Sequence, residues 1–221
     1  MSPHKKRIFL VDDHPLVREW LTNLIHQQPD LVVCGETESA PAALSSIAAA
    51  QPGLVIADIN LKSSSGIELI KDLKKLYPDI PVLVLSMHDE SLYAERVFRA
   101  GARGYVHKRE TAHKMIEAIR RVLDGKIYVS EKTGEILAGQ SIKGRTASKP
   151  TVELLSDREL EVFDKLGQGI GTRQIAEDFH VSVKTIQAYC ARIKEKLNLN
   201  SATELLREAV RWHDSRDESR E

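Results

Sequence analysis

Between residues 7 and 123, short apolar and β-branched runs alternate with segments whose apolar positions recur at helical spacing. The runs are Arg7–Val11, Leu31–Gly35, Leu54–Ala57, Pro81–Ser86 and Gly104–Val106. The helical segments lie near Pro15–His26, Pro41–Ala50, Gly66–Tyr77, Leu92–Ala100 and Ala112–Leu123. A strand can follow its parallel neighbour only through a crossover, and a helix supplies it. The pattern therefore predicts an α/β, doubly wound, five-stranded parallel sheet with helices on both faces. Val82-Leu83-Val84-Leu85 has no polar alternation, as a strand buried on both faces requires.

After Leu123 the alternation stops. Ser130 is placed to cap a short helix through Ala138, and the Gly-, Ser-, Thr- and Lys-rich stretch to Pro150 cannot bury much surface. Ser156–Leu166, Thr172–Phe179, Ser182–Leu197 and Ser201–Trp212 then read as four helices with capping residues at or near their starts. The expected organisation is a first domain over 6–125, a linker with a short helix over 126–152, an all-α domain over 153–213, and a charged, frayed tail over 214–221. Two cysteines, Cys34 and Cys190, exclude a disulfide framework and a multi-cysteine zinc site. With no run near 18 apolar residues and no signal-peptide core, the expected location is the cytoplasm, without a membrane.

In a doubly wound sheet, ligands bind beyond the carboxyl ends of the strands. The first strand is followed by Asp12, Asp13 and His14; the third ends at Asp58, followed by Ile59 and Asn60. The fourth ends at Ser86, and His107 and Lys108 follow the fifth. Carboxylates gathered at one sheet edge repel one another unless a cation joins them, and an oxygen site of this kind suits Mg2+. A carboxylate such as Asp58 can act as a nucleophile and form an acyl phosphate. Lys108 and the Ser86 hydroxyl are then placed to pair with phosphoryl oxygens. A single aspartate at a strand end usually caps a turn or helix; the conjunction of Asp12, Asp13, Asp58, Ser86 and Lys108 argues for a site. His14 reads as a surface residue at a helix start rather than a ligand, and Cys190 as a small core residue.

From Lys6 to about Gly125 the chain resembles the receiver domain of two-component response regulators. The resemblance rests on Val11-Asp12-Asp13-His14-Pro15-Leu16-Val17-Arg18, Ala57-Asp58-Ile59-Asn60-Leu61, Ser65-Gly66-Ile67-Glu68, Leu85-Ser86 and Ala100-Gly101-Ala102-Arg103-Gly104-Tyr105-Val106-His107-Lys108. It implies a flavodoxin-like sheet of order 2-1-3-4-5 and Asp58 as phosphoacceptor. It also implies magnesium held by Asp13, Asp58 and the Asn60 carbonyl, with Asp12 assisting through water. Ser86 and Tyr105 become the switch pair that reports phosphorylation to the surface of the fourth and fifth helices and strands. Where such proteins carry a Pro-Gly turn, this chain has Leu61-Lys62-Ser63-Ser64-Ser65-Gly66, which predicts a freer loop with an added cation.

In the second half, Thr172–Phe179, the tight His180-Val181 connection and a helix capped by Ser182 make a helix-turn-helix pattern. Val183, Ile186, Cys190, Ile193 and Leu197 recur at helical spacing and are expected to face the core. Lys184, Gln187, Ala188, Ala191, Arg192, Lys194 and Glu195 lie on the opposite face. Gln187 can pair with adenine, the alanines can touch a thymine methyl, and the cations can meet phosphates. Leu155–Val162, Gly169, Ile175-Ala176, Val181–Ile186 and Ile193–Leu197 look like the LuxR-type DNA-binding domain, so that the whole chain resembles the NarL/FixJ class of response regulators. That resemblance puts Gln187, Ala188 and Ala191 at base-reading positions and Lys184, Thr185, Arg192 and Lys196 near phosphates. Tyr189 stands where histidine is frequent. Leu205, Leu206, Ala209 and Trp212 form an apolar side of the last helix, which in the family often supports dimerisation.

The expected function is that of a transcription regulator and not an enzyme, with double-stranded DNA, a sensor histidine kinase and a second copy of the chain as partners. A magnesium-dependent phosphohydrolase commonly needs a general acid two residues after its nucleophile, and Asn60 occupies that place. The second alternative is a protein-interaction module. Formal charge is zero, yet Glu153–Asp164 holds five acids and one base while Lys184–Lys196 holds four bases and one acid. Neutrality thus conceals a positive helix, and weak non-specific DNA affinity is expected.

Overall fold

The protein was analysed as a computed structural model, which describes residues 5–61, 64–87, 90–131, 133–135 and 151–217. The chain divides into two compact units, Met1–Arg145 and Thr146–Glu221.

The first unit runs β1 (Lys6–Val11), α1 (Pro15–His26), β2 (Leu31–Thr37), α2 (Ala40–Ala50) and β3 (Leu54–Ala57). It continues with β4 (Asn60–Leu61), β5 (Ser64–Ser65), α3 (Gly66–Leu76), β6 (Val82–Ser86), α4 (Glu90–Ala100), β7 (Gly104–His107) and α5 (Ala112–Leu123). The main sheet is parallel, in the order β2-β1-β3-β6-β7. With the two-residue hairpin β4-β5 set aside, this is the expected 2-1-3-4-5 order. Every residue of β3 and β6 is buried, which explains their unbroken apolar sequences. Alternate side chains of the strands divide between the faces. Ile8, Leu10, Leu54, Ile56, Leu83, Leu85 and Val106 pack with Leu21 and Ile25 of α1 and with Met115, Ile119 and Val122 of α5. Each such buried aliphatic side chain stabilises the fold by about 1.5–3 kcal/mol.

The second unit has a 3-10 turn (Thr151–Leu154), then α6 (Asp157–Gly167), α7 (Thr172–Asp178), α8 (Val183–Leu197) and α9 (Ala202–Asp217). Ser156 starts α6 with a capping box: its hydroxyl accepts the Glu159 amide at 3.4 Å, and the Glu159 carboxylate accepts the Ser156 amide at 2.7 Å. Leu160, Phe163, Ile175, Ile186, Ile193, Leu205 and Ala209 are buried together as its core. Trp212 lies against Phe163, with ring centroids 5.5 Å apart.

Several expectations need correction. The first domain does not stop at Gly125, because Tyr128, assigned to the linker, forms a parallel bridge with Gly104 of β7. Val183, the first residue of α8, is 37% exposed, whereas Ile186 one turn on is buried. Leu206 is likewise exposed, one position off the buried Leu205–Ala209 line of α9. That helix extends to Asp217, so residues 214–217 are helical; residues 218–221, 136–150, Lys62 and Ser63 lie outside the described residues. The Ser130 hydroxyl accepts the Thr133 amide at 3.3 Å, while the expected helix end at Ala138 falls outside the described residues. Among the described residues, no helix is long and apolar enough to cross a membrane.

Candidate functional site

Parallel strands end on the same side of their sheet, so the carboxyl ends of β1, β3, β6 and β7 collect Asp12, Asp13, Asp58, Ser86 and Lys108. Asp58 directly follows β3, its amide donating to the Val11 carbonyl at 2.8 Å, and only 3% of it is exposed. Lys108 follows β7, its amide held by the Ser86 carbonyl at 2.8 Å. The Lys108 ammonium sits 2.7 Å from Asp58 Oδ2 and 2.7 Å from Asp12 Oδ2.

Burial pushes the Asp58 carboxyl up to about 6; Lys108 pulls against that rise and the Asp12 carboxylate adds to it. Burial also disfavours the charged Lys108, but Asp58 and Asp12 outweigh it and hold the ammonium above the ordinary lysine range. The Tyr105 side chain is buried and its hydroxyl hydrogen-bonds to Ser86; burial pushes the phenol above its ordinary range. The expected switch pair is therefore in direct contact.

Two residues join the site that sequence reasoning did not place there. His14 Nδ1 lies 2.8 Å from Asp13 Oδ1, 3.1 Å from Asp12 Oδ1 and 4.0 Å from Asp58 Oδ2, although the side chain is largely exposed. Its amide also donates to Asp12 Oδ1 at 2.8 Å, an Asx-type turn that folds it back over the aspartates. Arg18, one turn into α1, donates from Nη1 to the Asp12 carbonyl at 2.6 Å, while its Nε lies 3.5 Å from Glu36. The adjacency of His14 to the two aspartates was the available signal; for Arg18 the sequence offered only helical spacing.

Strand pairing and hydrogen bonds hold the residues that flank Lys62 and Ser63. Asn60 pairs with Ser65 and Leu61 with Ser64. Asp58 Oδ1 accepts the Asn60 amide at 3.2 Å, and the Gly66 amide donates to the Ile59 carbonyl at 2.7 Å. A Cβ on Gly66 would stand 2.0 Å from the Asp58 main-chain carbonyl oxygen, so only glycine lets α3 begin this close to the Asp58–Ile59 backbone.

In the second unit α7, a turn and α8 form the helix-turn-helix. His180 adopts φ 53° in the turn, and the Val181 amide closes onto the Ala176 carbonyl at 2.9 Å. Ser182 caps α8 by accepting the Thr185 amide at 3.1 Å. Lys184, Gln187, Ala188, Ala191 and Arg192 are exposed on one side of α8, with Thr185 half-buried at its start. Arg192 stacks over the Tyr189 ring, 4.8 Å from its centroid. Lys196 differs: its ammonium pairs with the buried Glu159 carboxylate at 2.6 Å, joining α8 to the cap of α6.

Fold and site together define a receiver unit followed by a helix-turn-helix unit. Residues 8–120 match the response regulator receiver domain, and residues 153–209 match the bacterial regulatory proteins of the luxR family. The chain belongs to the two-component response regulators of the NarL/FixJ class. It is 30% identical to the transcriptional regulatory protein DegU of Brevibacillus brevis, over 96% of this chain and 95% of the relative. A LuxR-family response regulator from Aurantimonas sp. SI85-9A1 superposes with TM-score 0.59 at 32% identity, covering 62% of this chain and 99% of that one. Salmonella typhimurium RcsB superposes with TM-score 0.56 at 25% identity, covering 94% and 98%.

Receiver domains bind Mg2+ at an acidic pocket, and ligand atoms of Asp12, Asp13, His14 and Asp58 lie within 4.8 Å of one another here. Buried carboxylates supply the hard oxygen donors that such an ion prefers.

Proposed function

We propose that this chain is a cytoplasmic, DNA-binding response regulator in which phosphorylation of Asp58 by a sensor histidine kinase shifts the protein toward a DNA-binding homodimer controlling transcription. The observation that carries the reading is the buried Asp58 carboxylate at the sheet edge with Lys108 at 2.7 Å, in one chain with an exposed basic helix. The protein's part is that of a phosphoryl acceptor and not of a turnover enzyme, since Asn60 stands where a phosphohydrolase commonly carries its acid.

Asp58 Oδ is the nucleophile, and its bond to an incoming phosphorus forms as the bond to the donor breaks, with the donor group leaving. Lys108 balances charge on the phosphoryl oxygens, and the Ser86 hydroxyl donates to another. Asp13, Asp58 and the Asn60 carbonyl, with Asp12 through water, would hold Mg2+, which neutralises charge during transfer. When Ser86 turns to the phosphoryl group, its bond to Tyr105 is redirected, and the equilibrium between two receiver conformations shifts.

On duplex DNA, α8 enters the major groove, where Gln187, Ala188 and Ala191 face bases while Lys184, Thr185 and Arg192 approach phosphates. Lys196 contributes there only by releasing Glu159. Leu206 and Val210, one helical turn apart on α9, are 46% and 36% exposed and supply an apolar seam for a second copy. RcsB has been solved as two dimers bound to two parallel DNAs.

The test compares duplex binding of the full chain with and without a small acyl-phosphate donor and Mg2+, wild type beside Asp58→Ala. Tighter binding on phosphorylation, lost in Asp58→Ala, supports the reading. Phosphate on Asp58 with unchanged binding removes the switching step, and absence of duplex binding in every state favours a protein-interaction module.

A further inference from the structure

The open edge of β7 is covered by the chain that follows α5. The Tyr105 amide donates to the Tyr128 carbonyl at 3.0 Å, and the Tyr128 amide to the Arg103 carbonyl at 3.0 Å, so residues 126–130 lie parallel to β7 like an added strand. Their side chains alternate as a strand's do: Tyr128 stands with Lys114, Glu117 and Arg121 of α5, and Ile127 with Lys74 and Phe98 of α3 and α4. Gly104 makes room for this strap, because a Cβ there would meet Tyr128 Cβ at 3.2 Å and Leu83 Cδ1 at 2.7 Å. The last anchor is a charge-assisted hydrogen bond: Glu90 at the start of α4 accepts the Ser130 amide at 3.0 Å.

Both anchors connect to the switch pair. Tyr105 holds the strap through its own amide, and its hydroxyl bonds to Ser86. Glu90, four residues beyond Ser86, is the first residue of α4. Redirection of Ser86 toward a phosphoryl group on Asp58 would bear directly on Tyr105, whose amide holds the strap. Residues 128 and 130 precede, in chain order, the boundary between the two units.

We propose that residues 126–130 form a releasable strap whose grip on β7 and Glu90 is loosened by phosphorylation of Asp58, making the start of the connector the receiver's output element. This inference rests on the phosphoacceptor reading above. The strap is held by few bonds, and amides so held exchange through local opening rather than global unfolding.

The test is hydrogen–deuterium exchange on the full chain with Mg2+, before and after a small acyl-phosphate donor, with peptide mass spectrometry reporting phosphate on Asp58. Exchange over 126–131 is expected to rise about tenfold on phosphorylation, the scale for losing one hydrogen bond to a charged acceptor. Glu90→Ala is expected to raise it similarly without phosphate, while Glu90→Gln, which keeps an acceptor, restores most of the protection. β2, at the opposite edge of the sheet from β7, serves as internal control and stays protected. Phosphorylated Asp58 with unchanged exchange over 126–131 overturns the strap and leaves the phosphoacceptor reading standing. No phosphate on Asp58 overturns both. Unchanged exchange in Glu90→Ala removes the Glu90 anchor and with it the proposed mechanism.

Discussion

Lys108 Nζ lies 2.7 Å from Asp58 Oδ2 and 2.7 Å from Asp12 Oδ2, bridging two carboxylates that are otherwise buried side by side. Removing that ammonium leaves both acids without their shared countercharge. Lys108→Ala is expected to destabilise the metal-free protein by about 3 kcal/mol, the usual cost of breaking a buried pair. Added Mg2+ should restore part of it, because a cation re-enters the same carboxylates. Urea unfolding with and without Mg2+ measures both quantities, and an equal loss in the two conditions contradicts the shared-charge account.

Magnesium affinity should fall as pH drops through about 6, where the buried Asp58 takes up its proton. The sign follows from linkage: the folded carboxyl is raised, so this group favours the folded protein below about 4 and that advantage is lost as pH rises through about 6. Mg2+ binds only the ionised form and so stabilises most at the high end. Thermal unfolding at pH 5 and pH 7.5, titrated with Mg2+, should show the larger upward shift at pH 7.5. Equal shifts at the two values mean that Asp58 is not the titrating ligand.

Gly66 should tolerate no side chain. Gly66→Ala forces a methyl against the Asp58 carbonyl at 2.0 Å, so the α3 start must move and carry Asp58 with it. The expected outcome is a loss of stability of about 1–3 kcal/mol, as for overpacking, together with slower phosphorylation. Acyl-phosphate labelling rates at a temperature where the variant is still folded separate the second effect from the first.

Lys196 serves the fold of its unit. Burial raises Glu159, but Lys196 and the Ser156 cap outweigh that rise and hold the carboxyl below its ordinary range. A lowered acid contributes stability that is present above its unfolded pKa and lost as pH falls through the folded one. Lys196→Met should therefore cost about 1 kcal/mol at pH 7, allowing for solvent at the half-exposed lysine, and little at pH 3. In duplex binding it should matter less than Lys184→Ala or Arg192→Ala, each of which lowers the salt dependence by about one unit of slope. A Lys196 variant with normal stability and strongly reduced binding reverses this assignment.

Leu206→Asp with Val210→Asp places charge on an exposed seam without touching the buried Leu205 and Ala209. The expected result is an unchanged melting temperature and loss of the dimer in sedimentation of the phosphorylated protein. A dimer that persists moves the interface elsewhere.

The chemistry of the first unit was legible early because strand ends are local. Asp12, Asp58, Ser86 and Lys108 each follow an apolar run, and any parallel sheet brings such ends to one edge. The helix-turn-helix was legible for a similar reason, since capping by Ser182 and the periodicity of Ile186, Ile193 and Leu197 depend on near neighbours. Periodicity failed where a helix end leaves the packed layer, as at Val183, and where a stripe is one position too wide, as at Leu206.

Sequence alone thus determined the strand–helix alternation, the parallel sheet it demands and the residue types at its carboxyl edge, because each of these follows from local periodicity and chain order. Only the tertiary structure decided that Lys196 meets Glu159, that His14 folds back over the aspartates, and that Tyr128 lies along β7. Lys196 and Tyr128 find their partners across elements distant in sequence, and His14 depends on how one turn closes over the assembled site. Such pairings are set by how packed surfaces meet, which no local pattern of residues encodes.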